Sequence, residues 1–290
     1  MSLRIGILNL MPKLETYEPL LLGPLSRASV EVEPVWLRLE THSYKSSDPA
    51  HLARSYRTLD SALDSGPLDG LLLTGAPVEQ LEFDEVRYWP ELYDVLSYAR
   101  AEVPSTLGLC WGGLALGHVL GIPKTVFRQK VFGVFENTTL DPETPLLRAH
   151  SRSFRCAHSR HSGISDSALE RAERDGLVRP LSHSLETGYS VFETPDHRFV
   201  AHLGHPEYVA ERLVFEYRRD RELGRADVPP PRHFDPEAPI TDWQADGDAF
   251  FDGWLQLVTQ QRSRGTARLS PPSPRARRAA PARAVSRARR

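Results

Sequence analysis

Thr106-Leu107-Gly108-Leu109-Cys110-Trp111-Gly112 passes without a linker from a short apolar strand into the start of a helical pattern that runs to Leu120 and stops at Gly121. A residue of nucleophile type sits at the turn, with glycines two positions to either side. Small residues there permit the tight strand-to-helix turn that lifts one side chain above a sheet, the nucleophile-elbow pattern with Cys in place of Ser. The ordinary alternative is a buried structural cysteine. Outward from this turn, Arg4–Leu10, Val30–Leu39, Leu71–Thr74 and Phe199–Leu203 read as further strands, largely apolar. Between them lie helical patterns at Leu14–Ala28, His51–Leu63 and Asp84–Glu102, the first expected to be kinked or short because of Pro19 and Pro24. Tyr208–Gly224 and Asp242–Gln260 follow as helices. Strand alternating with helix implies an α/β fold, a doubly wound, mostly parallel sheet with helices on both faces. The stretch from Val126 to Ser190 is less regular, with short alternating strands such as Val131–Phe135.

In such a sheet, sites gather at the carboxyl ends of the strands. Gly204-His205-Pro206-Glu207 stands at one of these ends, directly after Phe199–Leu203. A thiolate nucleophile calls for a histidine held by a third group, and Glu207 can accept an imidazole N–H. His205 is one of 11 histidines, so an ordinary turn punctuated by Pro206 is the alternative.

Composition narrows the function classes. The 36 basic residues include ten Arg in residues 262–290, a stretch without Asp or Glu, so the first 261 residues hold 26 basic against 38 acidic ones. An acidic body is a poor partner for DNA or anionic lipid, so no nucleic acid is expected. No apolar run is long enough to span a bilayer, so no membrane is expected either. Two cysteines make no disulfide framework, which points to the cytoplasm, and no metal-ligand spacing is present. Residues 1–261 are read as one folded domain and 262–290, rich in Arg, Ala, Ser and Pro, as a disordered tail.

Gly-Leu-Cys-Trp-Gly and Gly-His-Pro-Glu together resemble the class I glutamine amidotransferase-like superfamily, with its flavodoxin-like sheet. The closer resemblance is to its homoserine O-acyltransferase (MetA) family. It is carried by Leu10-Met11-Pro12-Lys13, Thr74-Gly75-Ala76-Pro77-Val78-Glu79, Lys130-Val131-Phe132-Gly133, His158-Ser159-Arg160-His161, Gly204-His205-Pro206-Glu207-Tyr208 and Asp227-Val228-Pro229. These motifs recur in order over nearly the whole folded chain. The resemblance implies that Cys110 takes an acyl group from acyl-CoA as a thioester, that His205 is the general base and that Glu207 orients it. It implies an oxyanion hole from the backbone N–H of Trp111 and one from the Ala76–Val78 segment, with Val78 the assigned residue. Lys130, Ser159 and Arg219 match substrate-binding positions; read without the family, Lys130 is a solvated cation and Arg219 a residue of a charged helix face. Glu79 matches the position where small residues go with succinyl-CoA and Glu with acetyl-CoA, because a carboxylate shrinks the acyl pocket and repels a succinyl carboxylate.

The implied activity is homoserine O-acetylation for methionine synthesis, with acetyl-CoA as co-substrate and no resident cofactor. Two departures keep the acceptor and a homodimeric state open. Family members commonly extend further before the first strand, and Trp243-Gln244-Ala245-Asp246-Gly247-Asp248 replaces a more basic family pattern. L-Serine is the alternative acceptor, succinyl-CoA the alternative donor and a glutaminase the alternative chemistry on the same triad.

Overall fold

The computed structural model describes residues 2–150 and 152–269. In chain order the first half contains β1 (Leu3–Leu8), α1 (Leu14–Arg27), β2 (Val32–Leu37), α2 (Pro49–Ser55), α3 (Leu59–Leu63), β3 (Gly70–Leu73), α4 (Trp89–Glu102), β4 (Thr106–Leu109) and α5 (Trp111–Val119). The second half contains β5 (Thr125–Thr139), β6 (Ser153–Gly163), α6 (Asp166–Arg174), β7 (Arg179–Ser184), β8 (Gly188–Glu193), β9 (Phe199–His202), α7 (Ala210–Glu222) and α8 (Gln244–Leu269).

The strands form one mixed sheet in the order β2-β1-β3-β4-β9-β8-β7-β5-β6. From β2 to β9 every pairing is parallel, and from β9 to β6 every pairing is antiparallel. The doubly wound α/β arrangement is therefore present, with its parallel part confined to five of the nine strands. Strands covered on both faces read as continuous apolar runs. In β3, Leu71 and Leu73 enter one core, lined by α4 and α5, while Leu72 enters the other, lined by α1 and α8. Each such fully buried aliphatic side chain contributes roughly 1.5–3 kcal/mol.

Several elements depart from expectation for local reasons. α1 is continuous across Pro19 and Pro24. Two interior prolines cost a helix about 3 kcal/mol each, but Leu14, Tyr17, Leu21 and Leu25 form a buried stripe at helical spacing, three of them in the core shared with α8. The segment read as one helix over 51–63 splits in two, because Arg57 leaves the helix to pair with the end of β2 (Arg57 N–H to Trp36 O, 3.1 Å) and Thr58 caps a new start. Pro90 lies in the first turn of α4, which therefore begins at Trp89 after a separate 3₁₀ turn at Phe83–Glu85. The irregular stretch after Val126 is an antiparallel lobe built on the 15-residue β5 and the 11-residue β6. The last helix keeps its buried aromatic face of Phe250, Phe251 and Trp254 and runs to Leu269 rather than ending at Gln260. The rest of the expected tail, 270–290, lies outside the described residues. Among the described residues, no helix is long and apolar enough to cross a membrane.

Candidate active site

β4 and β9 are parallel neighbours, with Leu109 opposite His202. That adjacency brings the two candidate motifs together, because each begins where its strand ends. Cys110 N–H donates to His202 O at 2.8 Å, and the chain then turns sharply into α5. Cys110 has φ 50° and ψ −113°, a strained conformation for a residue with a side chain. The turn closes only because its flanks are bare: a Cβ on Gly108 would lie 2.5 Å from Gly112 O, and one on Gly112 would lie 2.5 Å from Leu73 O. The elbow read from the sequence is thus a backbone fact. It places Cys110 at the N-terminus of α5, where free N–H groups and the helix dipole favour an anion.

Beyond β9, the His205 N–H bonds Ala157 O of β6 at 2.8 Å and fixes the turn. His205 Nδ1 meets Glu207 Oε1 at 2.7 Å, and the same oxygen accepts the Tyr17 hydroxyl at 2.5 Å. With Nδ1 occupied, Nε2 is the nitrogen left for the thiol of Cys110, whose charge acts on the imidazole. The Tyr208 ring stacks on the imidazole at 3.9 Å between centroids. Burial opposes a charged imidazole, but the Cys110 sulfur and the Glu207 carboxylate outweigh it and hold His205 well above the usual histidine range. Cys110, His205 and Glu207 are thus one connected, buried set.

Cys110 and His205 open into a cleft of about 460 Å³. Val78 and Glu79 line it, while Trp111 follows Cys110 with its ring buried. Lys130 on β5, Ser159 on β6 and Arg219 on α7 line the same cleft. The structure brings all three together, and adds two acids that the sequence reading passed over. Lys130 Nζ lies 2.8 Å from Asp220 Oδ2 and 3.6 Å from Glu216 Oε2. Ser159 donates to Glu216, as does the Tyr208 hydroxyl at 2.9 Å. Lys130 is 5% exposed, so the solvated-cation reading fails. Both Nε and one terminal nitrogen of Arg219 engage Asp220, at 2.8 and 2.7 Å, so its fork is already occupied by a neighbour. Burial would raise the Glu216 carboxyl, but Lys130, Arg212 and the Ser159 hydroxyl hold it down at about 2. The missed signal was a pair of acids at i and i+4 on the buried side of α7, which also carries Leu213.

Tyr17 was missed because its helical spacing made it look like core. Cys156 is a buried free thiol, not bonded to Cys110. The unusual acids in the first turns of α8 do not enter the cleft: Asp246 accepts the Arg155 N–H at 2.8 Å, and Asp248 pairs with Arg27 at 2.7 Å. Gly247 between them lies against the His205–Glu207 turn, where a Cβ would come within 2.1 Å of Pro206 O.

The chain is similar to several known proteins. A family model described as homoserine O-succinyltransferase matches residues 1–264. A homoserine O-acetyltransferase of Bacillus cereus (strain B4264) is 36% identical over 267 residues, covering 90% of this chain and 87% of that protein. The homoserine O-acetyltransferase of Brevibacillus brevis (strain 47) is 38% identical over 267 residues, covering 90% and 86%. Among solved structures, a glutamine amidotransferase from Thermotoga maritima superposes with a TM-score of 0.57 at 14% identity, over 89% of this chain and 99% of that one. The glutaminase domain of Trypanosoma brucei CTPS with bound acivicin gives 0.54 at 12%, over 89% and 94%. At such identities the structural likeness speaks to the fold alone.

Proposed function

Because the chain belongs to the homoserine O-succinyltransferase family, a family of acyltransferases, we propose that it transfers an acetyl group from acetyl-CoA to the hydroxyl of L-homoserine. The observation that carries this reading is the meeting of the Cys110–His205–Glu207 set with the Lys130–Ser159–Arg219 wall in one cleft. In the first half-reaction the Cys110 thiolate attacks the donor carbonyl. The carbonyl carbon's bond to the CoA sulfur breaks, and CoA leaves as a thiol with the proton from His205. The acyl group remains on Sγ as a thioester. In the second, His205 takes the proton of the acceptor hydroxyl as its oxygen attacks, and the thiolate of Cys110 is expelled. The backbone N–H of Trp111 and one from the Ala76–Val78 segment receive the oxyanion in both steps. No resident cofactor takes part.

The amino and carboxyl groups of the acceptor suit a wall that carries both signs of charge, with Lys130 and Arg219 for the carboxylate and Ser159 for a compact hydrogen bond. Glu79 supports acetyl as the donor group, since it stands in the cleft with Cys110. This activity would place the enzyme at the entry to methionine synthesis. The test is a competition: purified protein receives acetyl-CoA with equal L-homoserine and L-serine, and mass spectrometry identifies the product. O-Acetyl-L-homoserine is expected. O-Acetyl-L-serine would move the enzyme to cysteine synthesis, and ammonia from glutamine without any O-acyl product would overturn the acyltransferase reading.

A further inference from the structure

Glu79 follows β3, is tied to β6 by the Ser162 hydroxyl donating to its carbonyl, and lines the cleft with Cys110 and Lys130. The His161 backbone N–H favours the ionised carboxyl, but Oε2 is buried with no hydrogen-bond partner. Every cation that faces it is committed elsewhere. Lys130 is held between Asp220 and Glu216. Arg160, which carries no carboxylate partner, spends its guanidinium on the Ser162 and Thr187 carbonyls and on His158 Nδ1. Arg225 forks onto Asp227 at 2.7 and 2.8 Å, and the His161 ring lies between those two. His205 serves Glu207 and Cys110, and Arg219 serves Asp220. On α7 Glu216 and Asp220, which line the same cleft, add negative charge to it.

A carboxylate without a donor on one oxygen and without a free cation is costly to keep ionised in a buried place. We propose that Glu79 selects the acyl donor through its protonation state. Neutral, it leaves the cleft open to an acyl group that ends in a carboxylate; ionised, it expels one, so the donor preference changes with pH. This rests on the acyltransferase reading above and refines its donor specificity. The ionisation lies in a reachable range, because burial pushes the Glu79 carboxyl up to about 7 against the opposing pull of the His161 N–H, Lys130, His205 and Arg160. Repulsion between like charges is then fully present above that value and lost as the pH falls through it. Exclusion by fixed charge alone predicts no such change.

The experiment compares kcat/KM for succinyl-CoA with kcat/KM for acetyl-CoA from pH 6 to pH 9, with the acceptor saturating. Ionisations of Cys110 and His205 affect both donors and cancel in the ratio. The succinyl-to-acetyl ratio is expected to fall by about tenfold or more across this range. Glu79→Gln, neutral at every pH, is expected to give a flat ratio at or above the pH 6 value of the unaltered protein. A flat ratio in the unaltered protein, including one that stays at zero, overturns the proposal, and so does the same slope in Glu79→Gln. Absence of O-acyl product from either donor at every pH removes the acyltransferase reading itself, and this proposal with it.

Discussion

The two halves of the sheet hold the cleft in different ways. The parallel half, β2 to β9, brings Cys110 and His205, the proposed nucleophile and base, together from the ends of two adjacent strands, β4 and β9. The antiparallel half, β8 to β6, supplies Lys130 and Ser159, which face the cleft from the long strands β5 and β6. Cys110 and His205 in the first half are fixed by backbone: a strained elbow, two bare glycines and a turn anchored to Ala157. In the second half the side chains of the proposed recognition residues Lys130 and Ser159 are held by the buried web they form with Glu216 and Asp220. A scaffold that holds chemistry by backbone and recognition by side chains can change substrate with few substitutions and keep its reaction.

That division predicts a graded set of outcomes. Cys110→Ala should lower acyl transfer by roughly four orders of magnitude, and His205→Asn by a comparable factor, both without loss of the fold. Steady-state rates with thermal melts check both halves of that statement, and ordinary turnover by either variant breaks the assignment of chemistry to the parallel half. Lys130→Met should act differently, because it removes the lysine shared by Asp220 and Glu216 and leaves each acid with only its arginine, Arg219 or Arg212. A loss of about 1–3 kcal/mol in unfolding free energy is expected, together with a raised KM for the acceptor. An unchanged urea midpoint would show that the web does not hold the second wall.

Acid tests the same web with no substitution. Glu216 is depressed in the folded chain, so its contribution is present above the ordinary carboxylate range and is lost as the pH falls from about 4 towards 2. Stability measured by urea should decline over that window, and Glu216→Gln should decline less steeply. The smallest effect is expected from Tyr17→Phe. It removes one hydrogen bond to Glu207 and leaves the His205 contact in place, for a loss of about 1 kcal/mol, or about fivefold in kcat. KM should stay unchanged, whereas a purely structural role for Tyr17 would move the melting temperature and leave kcat alone.

The same contrast governs what the sequence discloses. Strands β1, β3, β4 and β9 are buried on both faces, so their apolar runs are visible without neighbours, and the elbow announces itself through Gly108 and Gly112. β5 and β6 are not visible in that way. β5 alternates, shifts register between Val126 and Val131 and runs beside the Arg232 segment, whose backbone lies within 2.1 Å of a Cβ on Gly133. Cys110, His205 and Glu207 were legible because each sits next to a strand end. Lys130, Ser159 and Arg219 were legible only through family resemblance, since nothing local distinguishes a buried lysine from a solvated one. Glu216, Asp220 and Tyr17 escaped both routes. Their roles arise where α1 meets the turn after β9 and where α7 meets β5 and β6, and charge on a helix face reads first as solvent exposure.

A trapped intermediate shows whether Cys110 carries the acyl group. The protein would be mixed with acetyl-CoA in the absence of acceptor, quenched in acid and analysed by intact mass and peptide mapping. One acetyl group on Cys110, lost when L-homoserine is added before the quench, is the predicted result. An unmodified Cys110, with O-acetyl-L-homoserine still formed when both substrates are present, would contradict the covalent route.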